Sequence, residues 1–186
     1  GDGLTLWVGR EIADLGLGGL DIWQATRSST NADFGEPSLV PELNSPLDDI
    51  PRPLGDHGRS MPFGSRRESS IYATFLATRP APEQPFASPR RLTEIEQTGY
   101  NASDAFLTAD GLTLYFARAI EERGDLFVVT RPDTSSPFGS PQALSSINQE
   151  DSDERDPWLS PDGSRLFFSS DRDGVLNIYQ ARRELE

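Results

Sequence analysis

Asp156-Pro157-Trp158-Leu159-Ser160-Pro161-Asp162-Gly163 runs on into Arg165-Leu166-Phe167-Phe168-Ser169-Ser170 and then Asn177-Ile178-Tyr179-Gln180-Ala181-Arg182. The run reads as strand, tight turn, strand, turn, strand: short apolar or aromatic segments separated by Ser, Pro, Asp and Gly signals. In the Ser-Pro-Asp-Gly turn, Pro161 pre-sets φ, Asp162 can accept from nearby backbone, and Gly163 can take positive φ. Asp162 and Gly163 are therefore expected to build the turn rather than bind a ligand.

The rest of the chain repeats this unit at a step of 52 residues. Thr26-Arg27 recurs as Thr78-Arg79, Thr130-Arg131 and, degenerately, Arg182-Arg183. Phe34-Gly35-Glu36-Pro37 recurs as Phe86-Ala87-Ser88-Pro89 and Phe138-Gly139-Ser140-Pro141. An aromatic column (Trp23, Phe75, Phe127, Tyr179) and an aliphatic pair (Val40 and Leu43, Leu92 and Ile95, Leu144 and Ile147) keep the same step. A period of this length marks a repeat architecture.

Each period holds four short strands; in the third copy they are expected near 104–108, 112–117, 125–131 and 142–147. Leu112-Thr113-Leu114-Tyr115-Phe116 and Leu126-Phe127-Val128-Val129 are apolar on both pleat faces, so both faces need cover. One small antiparallel sheet cannot cover itself, whereas radially stacked sheets cover one another. The expected fold is all-β: a β-propeller of four-stranded antiparallel blades, present as about three and a half blades, a partial or oligomer-completed ring. The blades fall at about 1–47 (lacking its inner strand), 48–99, 100–151 and 152–186 (lacking its outer strand), within one propeller segment. The opening Gly1-Asp2-Gly3 resembles the second half of a turn, which points to a piece of a longer chain. Pro51, Pro53, Pro62 and Gly64 make the second copy irregular, with weaker pairing or a bulge expected there.

Composition removes several chemistries. All 17 cationic residues are Arg, and there is no Cys, one His and one Met. A Schiff-base lysine, a phosphate-loop lysine, a thiol nucleophile and a zinc–thiolate site are thereby excluded. The net charge of −13 argues against nucleic acid and anionic membranes, which are held by clustered cations. No apolar run is long enough for a membrane span.

The pattern resembles the TolB-like, WD-like β-propeller repeats of bacterial extracytoplasmic proteins. The likeness rests on 156–163, Leu166 to Arg172, Gly174 and Ile178-Tyr179, and on Asp104, Thr108-Ala109-Asp110-Gly111, Leu114-Tyr115-Phe116, Arg118 and Gly124 to Phe127 in the third copy. It implies a periplasmic or extracellular location and a protein or peptide partner. It does not decide function, since such propellers serve as scaffolds, peptidase domains and sugar-active enzymes.

Three sets of residues are candidates for function. Asp104 and Asp156, opening inner strands, with Arg118 and Arg172, closing second strands, are expected to form a charged ring near the channel or to pair across blades as structure. In Glu150 to Asp156, Asp151 and Asp153 have the spacing that opens a calcium loop. Arg155 at the next alternate position and the lack of a following Gly argue against one. No cofactor is expected, and a divalent cation such as calcium is left open only at that pair. His57 with Asp56 and Ser60 is too local to form a triad.

Topology supplies the third set. Loops joining outer to inner strands and second to third strands emerge on one face, and the Asp-Gly turns on the other. The first face gathers Arg10, Glu11, Asp14, Arg67, Glu121 and Arg123, together with Asp151, Asp153, Glu154 and Arg172, and the loop from Gly9 to Gly19 is about four residues longer than its equivalents. The expectation is a non-enzymatic protein- or peptide-binding scaffold using this acidic, Arg-rich face or the channel mouth. The alternative is a carbohydrate-active propeller enzyme, or the propeller of a serine peptidase whose catalytic part lies outside the chain.

Overall fold

The computed structural model describes residues 3–12, 14–120 and 123–182. Four antiparallel sheets follow in chain order. The first holds β1 (Thr5–Arg10), β2 (Asp21–Thr26) and β3 (Ser38–Leu39). The second holds β4 (Asp49–Pro51), β5 (Ser60–Ser65), β6 (Ala73–Thr78) and β7 (Arg90–Arg91). The third holds β8 (Asn101–Leu107), β9 (Thr113–Ile120), β10 (Arg123–Thr130) and β11 (Gln142–Ala143), and the fourth β12 (Glu154–Leu159), β13 (Arg165–Ser170) and β14 (Asn177–Arg182). Strands pair in sequence order in every sheet, and the only helical elements among the described residues are short 3-10 turns at Asp56–Gly58 and Thr93–Ile95. No described helix is long and apolar enough to cross a membrane.

The core lies between the sheets. Ile22, Val40 and Leu43 of the first repeat meet Met61, Phe63, Phe75 and Phe86 of the second. Leu76, Leu92 and Ile95 meet Leu107, Leu114, Phe116 and Val129 of the third. Ala117 and Leu126 meet Phe168, with Leu144, Ile147 and Tyr179 packed against them. The aliphatic pair recurring at 52 residues therefore has one job: it folds inward after the third strand to seal each seam. That turn also shortens the outer strands. Pro41 and the inward Leu144 leave β3, β7 and β11 two residues each, where the sequence led us to expect six at 142–147.

Two other expectations shift. The inner strand of the third sheet starts at Asn101, three residues earlier than expected, because it continues past a bulge between Ser103 and Phe106 in which Asp104 has φ 55°. Asp156 repeats this with φ 52° in the bulge between Arg155 and Trp158. Asp tolerates this left-handed region better than most residues, and a bulge re-aims its side chain. In the second sheet, proline shortens only β4; β5 pairs with β6 along its whole length despite Pro62 and Gly64, and all six of its residues are buried.

Phe116 is fully buried and stacked on Phe127, with ring centroids 5.7 Å apart. Phe116→Ala is expected to lower the unfolding free energy by about 3–5 kcal/mol in urea denaturation, since a cavity at a seam cannot collapse without moving a whole sheet. A loss below about 1 kcal/mol would show that the seam is not packed as described.

Candidate functional site

Many of the charges that the sequence places on the loop face are turned into the seams. Arg67 donates to the Leu43 carbonyl (2.5 Å), to Asp49 (2.7 Å) and to the Ser65 hydroxyl, and lies 5.0 and 4.8 Å from the Phe63 and Phe75 rings. Arg172 repeats this arrangement, donating to the Ile147 carbonyl (3.0 Å), Glu154 (3.2 Å) and Ser170, 5.0 and 4.8 Å from the rings of Phe168 and Tyr179. Glu154 is fully buried and also accepts from the Ser152 and Ser170 hydroxyls and the Gln149 N–H. Asp153, 4% exposed, accepts from the Gly124 N–H and from Arg155. Arg67, Asp153, Glu154 and Arg172 are therefore corrected from surface binding residues to ties across the seams.

The expected grouping of Asp104 and Asp156 with Arg118 and Arg172, as a charged ring or as pairs across blades, takes a different form: the cross-blade pairs use another arginine. Arg118 donates to the Ile95 carbonyl (2.6 Å) and to Gln97, and lies 4.5 Å from the Phe127 ring. In the columns of Asp49 and Glu154 the third repeat has Asn101 and Ala102, both uncharged. Asp104 and Asp156 instead share Arg52, which donates one Nη to each, at 3.0 Å for Asp156. Positions 52, 104 and 156 are one repeat apart, so equivalent points of three consecutive inner strands meet in a single ion triad. The 52-residue offset marks Arg52 in the sequence; it escapes a search for identical residues because an Arg stands in the Asp column.

Five expected surface residues are exposed: Arg10, Glu11, Asp14, Arg123 and Asp151. Arg123 and Asp151 form a solvent-exposed pair at 3.4 Å, whose stability contribution is small. Glu121 lies outside the described residues. Asp151 is exposed while Asp153 is buried and committed, so the calcium-type spacing does not bring the two together around an ion. Among the described residues no group of three or more His, Cys, Asp or Glu side chains is arranged to hold a metal. Ser60 is 1% exposed, which keeps it from acting as a nucleophile with the exposed His57.

The same face carries two grooves that sequence reading missed. One, about 470 Å³, lies along Tyr72, Ala73, Arg91, Gln97, Thr98 and Tyr100 of the second repeat. The other, about 430 Å³, lies along Gly124, Asp125, Ala143, Gln149, Glu150 and Ser152 of the third. These positions are equivalent at a step of 52. Burial, and then the charge of Glu154, push the Asp125 carboxyl above its ordinary range. In the second repeat Asp48 is held below its ordinary range, first by the Leu20 N–H and then by the Tyr72 hydroxyl and Arg66.

Sequentially paired antiparallel sheets with their core in the seams define the propeller class of fold. No protein-family model and no curated protein matches the sequence, but solved structures match the fold. A protein assigned as TolB from Agrobacterium tumefaciens aligns with a TM-score of 0.67 at 16% identity, over 97% of this chain and 58% of its own. A thermostable family-43 glycoside hydrolase aligns with a TM-score of 0.62 at 17% identity, over 98% of this chain and 70% of its own. A puromycin hydrolase aligns at 0.55 and 15% identity, over 96% of this chain and 29% of its own. The chain thus spans 58% of the TolB structure's length, and the likeness is one of fold.

The opposite face is built from turns. Asp162 accepts from the Ser160 hydroxyl (2.6 Å), the Ser164 N–H (3.1 Å) and the Ser164 hydroxyl, which lower its pKa to about 2. Because the folded value lies below the unfolded one, its contribution is complete above the ordinary value of 3.8 and is lost as the pH falls through about 2. An NMR titration should find the Asp162 carboxyl still ionised at pH 3, and an ordinary midpoint would contradict the turn geometry. In the seam, Arg172→Met is expected to cost about 3–5 kcal/mol in denaturation, because it leaves Glu154 buried and uncompensated. Adding Glu154→Gln should recover part of that loss.

Proposed function

We propose that the chain is a TolB-like, non-enzymatic scaffold that binds a protein or peptide on the face carrying Arg10, Glu11, Asp14, Arg123 and Asp151, next to the channel mouth. One observation carries this reading. On that face the exposed Arg123, Asp125 and Glu150 line one of two open grooves, while Asp49, Asp104, Glu154 and Asp156 are each tied to an arginine. A rigid sheet framework presenting variable loops is suited to recognition. The four sheets are read as consecutive blades of a larger ring in the periplasm or outside the cell. The apolar outer face of the fourth sheet, with Trp158 and Ile178 exposed, supports that reading, because a further blade would cover it.

The convergence of Asp104 and Asp156 favours a second reading, in which the propeller acts on carbohydrate as the family-43 hydrolase name describes for that protein. The two are separated by paired assays. Capture of a partner from an envelope extract that fails with Arg10→Ala/Glu11→Ala/Arg123→Ala supports the scaffold. Glycan turnover abolished by Asp104→Asn, with no partner captured, overturns it. Light scattering should show the isolated chain self-associating, and Ile178→Asp should reduce that association; a monomer at high concentration would contradict the larger ring.

A further inference from the structure

The first repeat shows what fits the groove of the third. In the long loop of the first repeat, Gly16, Leu17 and Gly18 fold back onto the positions equivalent to that groove. The Leu17 N–H (2.8 Å) and Gly18 N–H (3.4 Å) both donate to one oxygen of Asp21, which is fully buried beneath them. A Cβ on Gly18 would stand 2.6 Å from the Pro46 carbonyl, and one on Gly16 would run into the Asp21 carboxylate. The Leu17 side chain is 49% exposed and takes no part in the fit. The loop is a backbone-mediated ligand carried by the chain itself.

Two periods later, Asp125 occupies the place of Asp21 and Glu150 that of Pro46, and both line an open groove. The framework around them is unchanged. Asn148 exchanges hydrogen bonds with the Leu126 backbone (2.9 and 3.0 Å) as Asn44 does with Ile22 (2.7 and 2.9 Å). The Asp125 carboxyl, raised by burial and by Glu154, would gain from N–H donors. In the second repeat Ala73 stands at this position, so that groove lacks the acceptor.

The geometry points to the third-repeat groove as a binding site for a bent Gly-Xaa-Gly peptide segment, held by its backbone, with Asp125 accepting from two consecutive N–H groups as Asp21 does. The inference rests on the scaffold reading and gives its partner a chemistry: a glycine-containing turn, recognised through shape and main-chain donors, with free choice of the middle side chain.

The test is an NMR titration of the whole 186-residue chain with acetyl-Gly-Leu-Gly-amide, with acetyl-Ala-Leu-Ala-amide as control. Saturable shifts are expected at Gly124, Asp125 and 148–152, with none at 97–100. The alanine peptide and Asp125→Asn should each weaken binding at least about tenfold. Asp125 lines the groove rather than the core, so an unchanged denaturation midpoint will show that the variant folds. No groove shifts at millimolar peptide, equal binding of the alanine peptide, or shifts produced instead by calcium or methylammonium would each overturn the inference. Partner capture through Arg10, Glu11 and Arg123 that survives such a failure leaves the scaffold reading standing; loss of capture with peptide binding intact overturns that reading alone.

Discussion

The structure depends on a guanidinium lodged in each seam. Arg67 and Arg172, two residues past a second strand, and Arg118, two residues before the end of one, each stack beside an aromatic pair contributed by the second and third strands of their own sheet and donate to a carbonyl of the preceding repeat (Leu43, Ile95 or Ile147). The three aromatic pairs are 5.8, 5.7 and 5.9 Å apart, so the same slot is built three times. Hydrophobic seams alone are non-directional and would let neighbouring sheets slide. A planar cation that must satisfy a ring pair and a specific carbonyl together fixes both angle and height. Two of the three slots add a buried carboxylate, Asp49 or Glu154, whose remaining lone pairs are met by Ser hydroxyls and a backbone N–H. Such pairs add little net stability but penalise any misregistered arrangement that leaves the charge unpaired.

A second guanidinium closes the far end of the third strand. Arg27, Arg79 and Arg131 donate from Nε to the carbonyls of Gly3, Gly58 and Gly111, and lie 4.5, 4.5 and 4.6 Å from the rings of Phe34, Phe86 and Phe138. The Thr-Arg, turn-Gly and Phe-x-x-Pro motifs are thus three parts of one contact. This is a physical reason for a chain with arginine and no lysine: the task is a stacked fork, which an ammonium on a flexible stem cannot perform. Six of the seventeen arginines are used in these two ways.

Sheet-level order was legible in the chain because it is written three to four times over. Thr26, Thr78 and Thr130, or Leu43, Ile95 and Ile147, fix the phase, and phase fixes which segments become equivalent strands. Individual charges were less legible. Arg123 and Arg172 look alike in sequence beside loops, yet one is exposed and the other folds over Phe168 and Tyr179. The difference is that the slot beside Phe116 and Phe127, the pair nearest Arg123, is already filled by Arg118, whereas Arg172 fills the slot beside Phe168 and Tyr179. The groove was also readable in principle: Asp21 and Asp125 share a column, and only Asp21 is preceded by a loop of its own repeat long enough to cover it.

Differences between copies therefore carry the information that the shared frame does not. At the inner strands, a strict repeat would put three carboxylates at positions 52, 104 and 156 where the strands converge, and like charges held close together cannot all remain ionised without cost. Arg52 replaces one of them and bridges the other two. The prolines at 51 and 53 bracket that substitution and shorten β4, leaving Arg52 just past the strand, with its N–H still donating to the Pro62 carbonyl at 3.2 Å. What reads in the sequence as a degraded second copy is thus the copy that neutralises its neighbours. The same logic operates on the rim. The first repeat fills its groove with its own backbone and the second has Ala73 in the acceptor column, so that of the three only the third leaves a carboxylate uncovered at that position.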